Sequence, residues 1–304
     1  MEHVLTTNSL SKHYGRSKAL DNLSVHIPKG AIYGLVGRNG AGKTTLIRLV
    51  CGLQAPTSGN YAIYGIDFED KHIAKSRRRM GAVVETPSIY LDMTAEDNLK
   101  QQCLTLGIPS FDEIPELLKL VGLENTGRKR ARNFSLGMKQ RLGIAVALVG
   151  SPDFLVLDEP ANGLDPQGII EIRELILKLN RERQITVLIS SHILDELSRL
   201  ATHYGFIDAG RLVKEATAEE IEAACRKCLV VEVTDSKALA LVLDKENVEY
   251  EIISDFSAKV YDEINLSHLV LLLKEHGCEL IKSHEQNESL ETYFINLVGG
   301  AKYE

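Results

Sequence analysis

Short apolar runs alternate with segments of helical periodicity over the first two thirds of the chain. Ala31 to Val36 (AIYGLV), Phe154 to Leu157 (FLVL) and Thr186 to Ile189 (TVLI) are apolar without alternation, as in strands buried on both faces of a sheet. Between the last two, Gln167 to Arg183 places Ile169, Ile172, Ile176 and Leu179 at helical spacing. Buried strands alternating with helices predict a parallel α/β sheet. From Pro87 to Gly150 the pattern turns helical, and Thr94 with Asp97 predicts a capped helix start near Ala95. This stretch, about 88–150, reads as a helical insertion into the sheet.

After about Gly210 the character changes. Leu229 to Val233 reads as a strand, Ser236 to Glu246 as a helix, and Val248 to Ile253 and Ala258 to Tyr261 as strands. Leu266 to His276 then reads as a helix and Glu279 to Ser283 as a strand. The order βαββαβ is that of a ferredoxin-like unit. The expected division is therefore residues 1–210 and a small α+β unit over 211–304 with a regulatory or dimer-stabilising role.

Candidate chemistry starts at the end of the first buried run. Gly37-Arg38-Asn39-Gly40-Ala41-Gly42-Lys43-Thr44 fits GxxxxGK[ST], with a strand before it and a helix, Thr44 to Val50, after it. Glycines let the backbone wrap closely and aim its N–H groups at phosphate oxygens, and the helix N-terminus adds a favourable dipole. Lys43 is expected on the β- and γ-phosphates of ATP, Thr44 on magnesium and Thr45 on a neighbouring oxygen. The run Leu155-Val156-Leu157-Asp158-Glu159 ends in two adjacent carboxylates. Magnesium takes one or two carboxylates plus water and phosphate. Asp158 is thus the metal-side acid, and Glu159, projecting the other way, is the candidate base for the attacking water.

Composition narrows the class. Hydrophobic residues make up 44% and charged residues 25% of the 304, enough for a large cored domain plus a smaller one. The net charge of −7 opposes general nucleic-acid binding, which needs a basic surface. No apolar run approaches the roughly 20 residues that span a bilayer, and Met1 to Ser9 lacks a signal-peptide pattern. A cytoplasmic protein is expected, with any membrane role coming through a partner. The five cysteines are scattered, as for reduced thiols. Cys225 and Cys228 form a CxxC without a second pair, which reads as two helix positions one turn apart rather than a zinc site. His268, His276, Cys278 and His284 show no metal-ligand spacing.

These motifs do not stand alone. Phe134-Ser135-Leu136-Gly137-Met138-Lys139-Gln140-Arg141, Asn162-Gly163-Leu164-Asp165, and His192 after the third buried run follow in order. With them, residues 3 to 210 resemble the nucleotide-binding domains of ABC transporters. The resemblance implies an α/β P-loop NTPase fold with an ABC-type helical insertion. It makes Ser135 and Gly137 signature residues that meet a γ-phosphate, Asp165 part of the D-loop, His192 the switch histidine and Tyr14 the ring that stacks on adenine. Each residue also has a plainer reading. Ser135 can cap the helix from Leu136 to Val149, His192 can cap the next helix, and Tyr14 can be an ordinary buried or surface ring. The family packs two domains head to tail, and this chain has one copy of each motif. The resemblance therefore implies a homodimer, an integral membrane permease as partner, and a place on the inner face of the cell membrane.

The chain also departs from the family pattern. Gly81-Ala82-Val83-Val84-Glu85-Thr86-Pro87 puts Glu85 where the family carries a glutamine that senses magnesium and touches the membrane partner. Glu85 is accordingly a candidate for both catalysis and metal contact, or a solvated loop acid. Leu136 and Met138 replace the usual signature glycine and glutamine. The Glu85 loop, this signature run and Asn-Gly-Leu-Asp-Pro together resemble the bacitracin- and lantibiotic-resistance exporters, and the ending Ser289-Leu290-Glu291-Thr292-Tyr293-Phe294 resembles the tail of drug-export ATPases. A soluble ABC ATPase acting on ribosomes is the alternative, weakened because such members usually carry two ATP modules per chain. DNA-repair members need long heptad insertions, and no sustained heptad run occurs. Intact Glu159 and His192 oppose a non-catalytic gating module.

Overall fold

The computed structural model describes residues 2–225, 227–262, 264–286 and 290–300; Ser289 of the tail segment lies outside them. In chain order the first unit contains β1 (His3–Tyr14), β2 (Ser17–Leu23), β3 (His26–Pro28), β4 (Ile32–Val36), α1 (Lys43–Val50), β5 (Ser58–Ile63) and β6 (Ile66–Asp67). Then come α2 (Ile73–Arg77), β7 (Met80–Val83), α3 (Ala95–Leu106), α4 (Ile114–Leu120), α5 (Leu136–Leu148), β8 (Phe154–Asp158) and α6 (Pro166–Arg183). It ends with β9 (Thr186–Ser191), α7 (Leu194–Ser198), β10 (His203–Asp208) and β11 (Arg211–Thr217).

The central sheet has the order β11-β10-β4-β9-β8-β7, with every pair parallel except β10 with β11. Every residue of β4, β8 and β9 is buried, as their unbroken apolar runs require. Each buried Leu, Ile or Phe in them contributes about 1.5–3 kcal/mol. Thr94 starts α3 as expected: its hydroxyl accepts the Asp97 amide at 3.1 Å and donates to the Asp97 carboxylate at 2.7 Å.

A second, antiparallel sheet runs β2-β1-β5-β6, with β3 also on β1. The hydrophobic pattern did not announce it, because β1 breaks its alternation. Ser9 adopts φ 47°, and the pairing with β5 shifts between Asn8 and Ser11. A bulge of this kind swaps which residues face the core.

The expected boundary after residue 210 is corrected. The chain divides after Ala218, because β11 is hydrogen-bonded to β10 from Asp208↔Arg211 to His203↔Thr217. Its sequence RLVKEAT is mostly polar and little buried, so it carries no strand signal. The second unit contains α8 (Ala218–Ala224), β12 (Cys228–Val233), α9 (Ser236–Glu246), β13 (Tyr250–Ser254), β14 (Ser257–Val260), α10 (Leu266–Glu275), β15 (Leu280–Gln286) and α11 (Leu290–Gly300). Its sheet order is β13-β14-β12-β15, antiparallel throughout, which is the ferredoxin-like arrangement. Val231, Val233, Leu239, Leu243, Val260 and Leu269 form its core. The CxxC is not a single helical turn: α8 ends at Ala224, and Cys228 opens β12.

Candidate functional site

β4 runs into the glycine loop, and α1 leaves it. Gly42 caps α1 with φ 110°, and a Cβ there would meet the Ala19 carbonyl oxygen at 2.6 Å. Only glycine fits such a position. Gly37 is held against β10, since a Cβ on it would lie 2.5 Å from the Ile207 carbonyl oxygen. The loop is braced from behind: the Gly210 amide donates to the Ala41 carbonyl at 2.9 Å, and the Asp21 amide donates to the Gly210 carbonyl at 2.9 Å. Arg38, Asn39 and Gly40 are exposed at the loop's tip, while Thr44 and Thr45 are half-buried at the start of α1. Asn39, Gly40, Lys43, Thr44, Thr45 and Glu159 line one hollow.

Lys43 is only 4% exposed. Its Nζ donates to the Gly37 carbonyl at 2.7 Å and the Arg38 carbonyl at 3.3 Å, and lies 3.4 Å from Glu159 Oε1. The other Glu159 oxygen lies 3.0 Å from His192 Nδ1. Lysine, glutamate and histidine thus form a continuous chain across the ends of α1, β8 and β9. Glu159 adopts φ 47°, an uncommon conformation for a non-glycine residue.

Asp158, at the end of β8, is 1% exposed. Its Oδ1 accepts from the Ser190 hydroxyl at 2.6 Å, and its Oδ2 is buried without a hydrogen-bond partner among the described residues. Ser190 also accepts the Glu159 amide at 2.9 Å, so one hydroxyl orients both acids. Ser190 belongs to none of the sequence motifs. The available signal was a hydroxyl at the end of a buried strand, directly across from the acid pair in the register Asp158↔Ser190.

The other candidates sit apart from this cluster. Ser135 caps α5, accepting the Met138 amide at 3.2 Å, and Asp165 caps α6, accepting the Gly168 amide at 3.0 Å. These two helix starts touch one another: a Cβ on Gly163 would lie 3.3 Å from Leu136, and one on Gly137 would lie 3.8 Å from Leu164. Among the described residues, no hydrogen bond or ion pair joins Ser135 or Gly137 to Lys43. His192 does not cap the following helix; Ile193 is its N-cap and supplies no side-chain bond. Tyr14, 45% exposed at the end of β1, donates to Gln54, and Lys12 Nζ lies 5.4 Å from its ring. Glu85, with φ 59°, is paired with Arg48 rather than directed at Thr44 or Asp158.

A family model for ABC transporters matches residues 20–162. The chain is 43% identical over 303 residues to the bacitracin transport ATP-binding protein BcrA of Bacillus licheniformis, covering 99% of each chain. It is 43% identical over 212 residues to the lantibiotic transport ATP-binding protein SrtF of Streptococcus pyogenes, covering 70% of this chain and 90% of that one. Among solved structures it resembles the dimeric MJ0796, a bacterial ABC transporter cassette, with TM-score 0.64 and 25% identity over 70% of this chain and 98% of that one. Near-full-length identity to one such protein, together with the order of motifs around Lys43, Glu159 and His192, places this chain in the ABC transporter family, among its ATP-binding proteins.

Proposed function

We propose that this chain is the ATPase subunit of an ABC exporter. In this reading, two copies hydrolyse Mg-ATP between them and drive a peptide antibiotic or drug outward through a separate membrane permease. The observation that carries the chemistry is the Lys43–Glu159–His192 chain at the mouth of the glycine loop. The loop amides and Lys43 bind the β- and γ-phosphates. Glu159 accepts a proton from the attacking water, and His192 holds the carboxylate in place.

The residues present suit a magnesium ion. Among the described residues Asp158 Oδ2 is buried with no hydrogen-bond partner, and Thr44, at the start of α1, lines one hollow with the neighbouring Glu159, a hard oxygen donor set. A bound magnesium would neutralise charge that develops on the phosphates.

Among the described residues, no hydrogen bond or ion pair joins Ser135 or Gly137 to Lys43, and each motif occurs once in the sequence. A second copy would bring its α5 N-terminus, a natural anion site, over the first copy's phosphates. The dimeric cassette named above supports this arrangement. No helix among the described residues is long and apolar enough to cross a membrane, so transport requires the permease. Export as the direction, and peptide antibiotics as the cargo, rest on the transport proteins this chain is similar to. The complex would sit on the inner face of the cell membrane, with the second unit regulating or stabilising the dimer. The ribosome-bound alternative has no such support.

The test is Glu159→Gln with ATP and magnesium, followed by light scattering on a sizing column. The variant should bind ATP, lose nearly all turnover and run as a dimer. A strict monomer, with the permease supplied as well, would overturn the shared-site reading.

A further inference from the structure

α1 supplies a cation to two carboxylates. Lys43, in its first turn, holds Glu159, and Arg48, in its last turn, holds Glu85. Among the described residues, the Asp158 carboxylate receives only the Ser190 hydroxyl.

The backbone places Glu85 close to the acids it does not touch. β7 pairs with β8 in the register Val83↔Leu157, so β8 ends one residue beyond β7. Asp158 follows Leu157 by one residue, and Glu85 follows Val83 by two. Arg48 lies four residues after Thr44 on α1, which puts both on one helix face. The Arg48–Glu85 pair therefore shares α1 with Thr44, and its carboxylate follows β7, the strand paired with the β8 that carries the acid pair. Its side chains are 35% and 54% exposed. Exposed pairs are weak and are screened by salt, so this one is easily exchanged for another partner.

We propose that Arg48 is a positioning residue that parks Glu85 away from the phosphate site until the metal arrives. Without magnesium, three carboxylates at the ends of β7 and β8 would repel an incoming triphosphate, and Arg48 cancels the one that is free to swing. With magnesium bound beside Thr44 and Asp158, Glu85 gains a second possible partner of opposite charge and leaves Arg48. The departure from glutamine at position 85 is thus matched by a basic residue on α1. This inference rests on the Mg-ATP reading above.

The plainer account of Arg48 is a basic side chain placed favourably at a helix C-terminus. The two accounts separate in the ratio of nucleotide affinity with magnesium to affinity with EDTA, measured with a fluorescent ATP analogue. Arg48→Gln should weaken binding in EDTA about threefold, the worth of an exposed pair, and leave binding in magnesium almost unchanged. The ratio should therefore rise about threefold. In a Glu85→Gln background, the same substitution should leave the ratio unchanged, and Arg48→Lys should restore the wild-type ratio. An equal effect in both backgrounds, or an unchanged ratio in Arg48→Gln, would overturn the proposal. Lys43→Ala is the control for the underlying reading: if it bound the analogue normally, the site assignment itself would be at fault. Should Arg48→Gln not fold, Arg48→Met and the ratio in Glu85→Gln alone decide the matter, since parking requires that ratio to fall.

Discussion

The Ser190 hydroxyl lies 2.6 Å from Asp158 Oδ1, inside the protein and at the level where both strands end. A buried carboxylate that loses a hydrogen bond keeps its desolvation cost. Ser190→Ala should therefore destabilise the fold by about 1.5–3 kcal/mol, the range for hydrogen bonds to charged groups. It should also raise the magnesium concentration needed for half-maximal turnover. Thermal unfolding and a magnesium titration read the two effects, and an unchanged magnesium requirement would contradict the orienting role of Ser190.

Lys43→Ala removes the cation that faces both the loop carbonyls and Glu159. Truncating one partner of a buried charged contact costs about 2–5 kcal/mol, so ATP affinity should fall by tens- to thousands-fold. Equilibrium binding of a fluorescent ATP analogue measures this directly.

Gly42→Ala tests the loop backbone. At φ 110° an alanine is strained, and its Cβ would meet the Ala19 carbonyl oxygen. Strain of this kind costs about 1–3 kcal/mol, and relieving it would move the Lys43 end of the loop. The expected result is a lower unfolding temperature together with loss of ATP binding.

Asp21 gives a pH dependence of definite sign. The Arg211 guanidinium, with Nε at 2.9 Å, holds the Asp21 carboxyl below its ordinary value, outweighing the opposing effect of burial. A depressed carboxylate contributes stability that is present above the unfolded-state value of about 3.9 and is lost as pH falls through the folded-state value. Asp21→Asn should therefore be less stable than the parent at neutral pH and equal to it in strong acid. Paired denaturant titrations across pH 2–7 would show the two curves converge on the acid side. A constant gap would sink the assignment.

Cys51 should resist alkylation. Burial pushes its thiol up to about 12, so almost none is thiolate at pH 8. Iodoacetamide should leave Cys51 unlabelled in the folded protein and label it after denaturation, as read by peptide mass.

Much of the fold was legible because its strongest signals are local. AIYGLV, FLVL and TVLI are buried on both faces, and such strands show themselves without neighbours. The second unit's order was legible as well, since each helix has its own periodicity. The N-terminal sheet was not, because the bulge at Ser9 disrupts the two-residue repeat. β11 escaped because an edge strand in contact with water needs no apolar run. At the site, the glycine loop and the acid pair declare themselves through residue type and spacing. Ser190 and Arg48 do not: their roles come from strand register and helix face, which appear only once β7, β8, β9 and α1 are set side by side.

The bracing of the glycine loop by Gly210 and Ile207 has a consequence for recognition. A cradle already braced from behind loses little freedom when a ligand enters, so affinity is not spent on ordering it. Discrimination then lies in the spacing of main-chain atoms as well as in the Lys43 side chain.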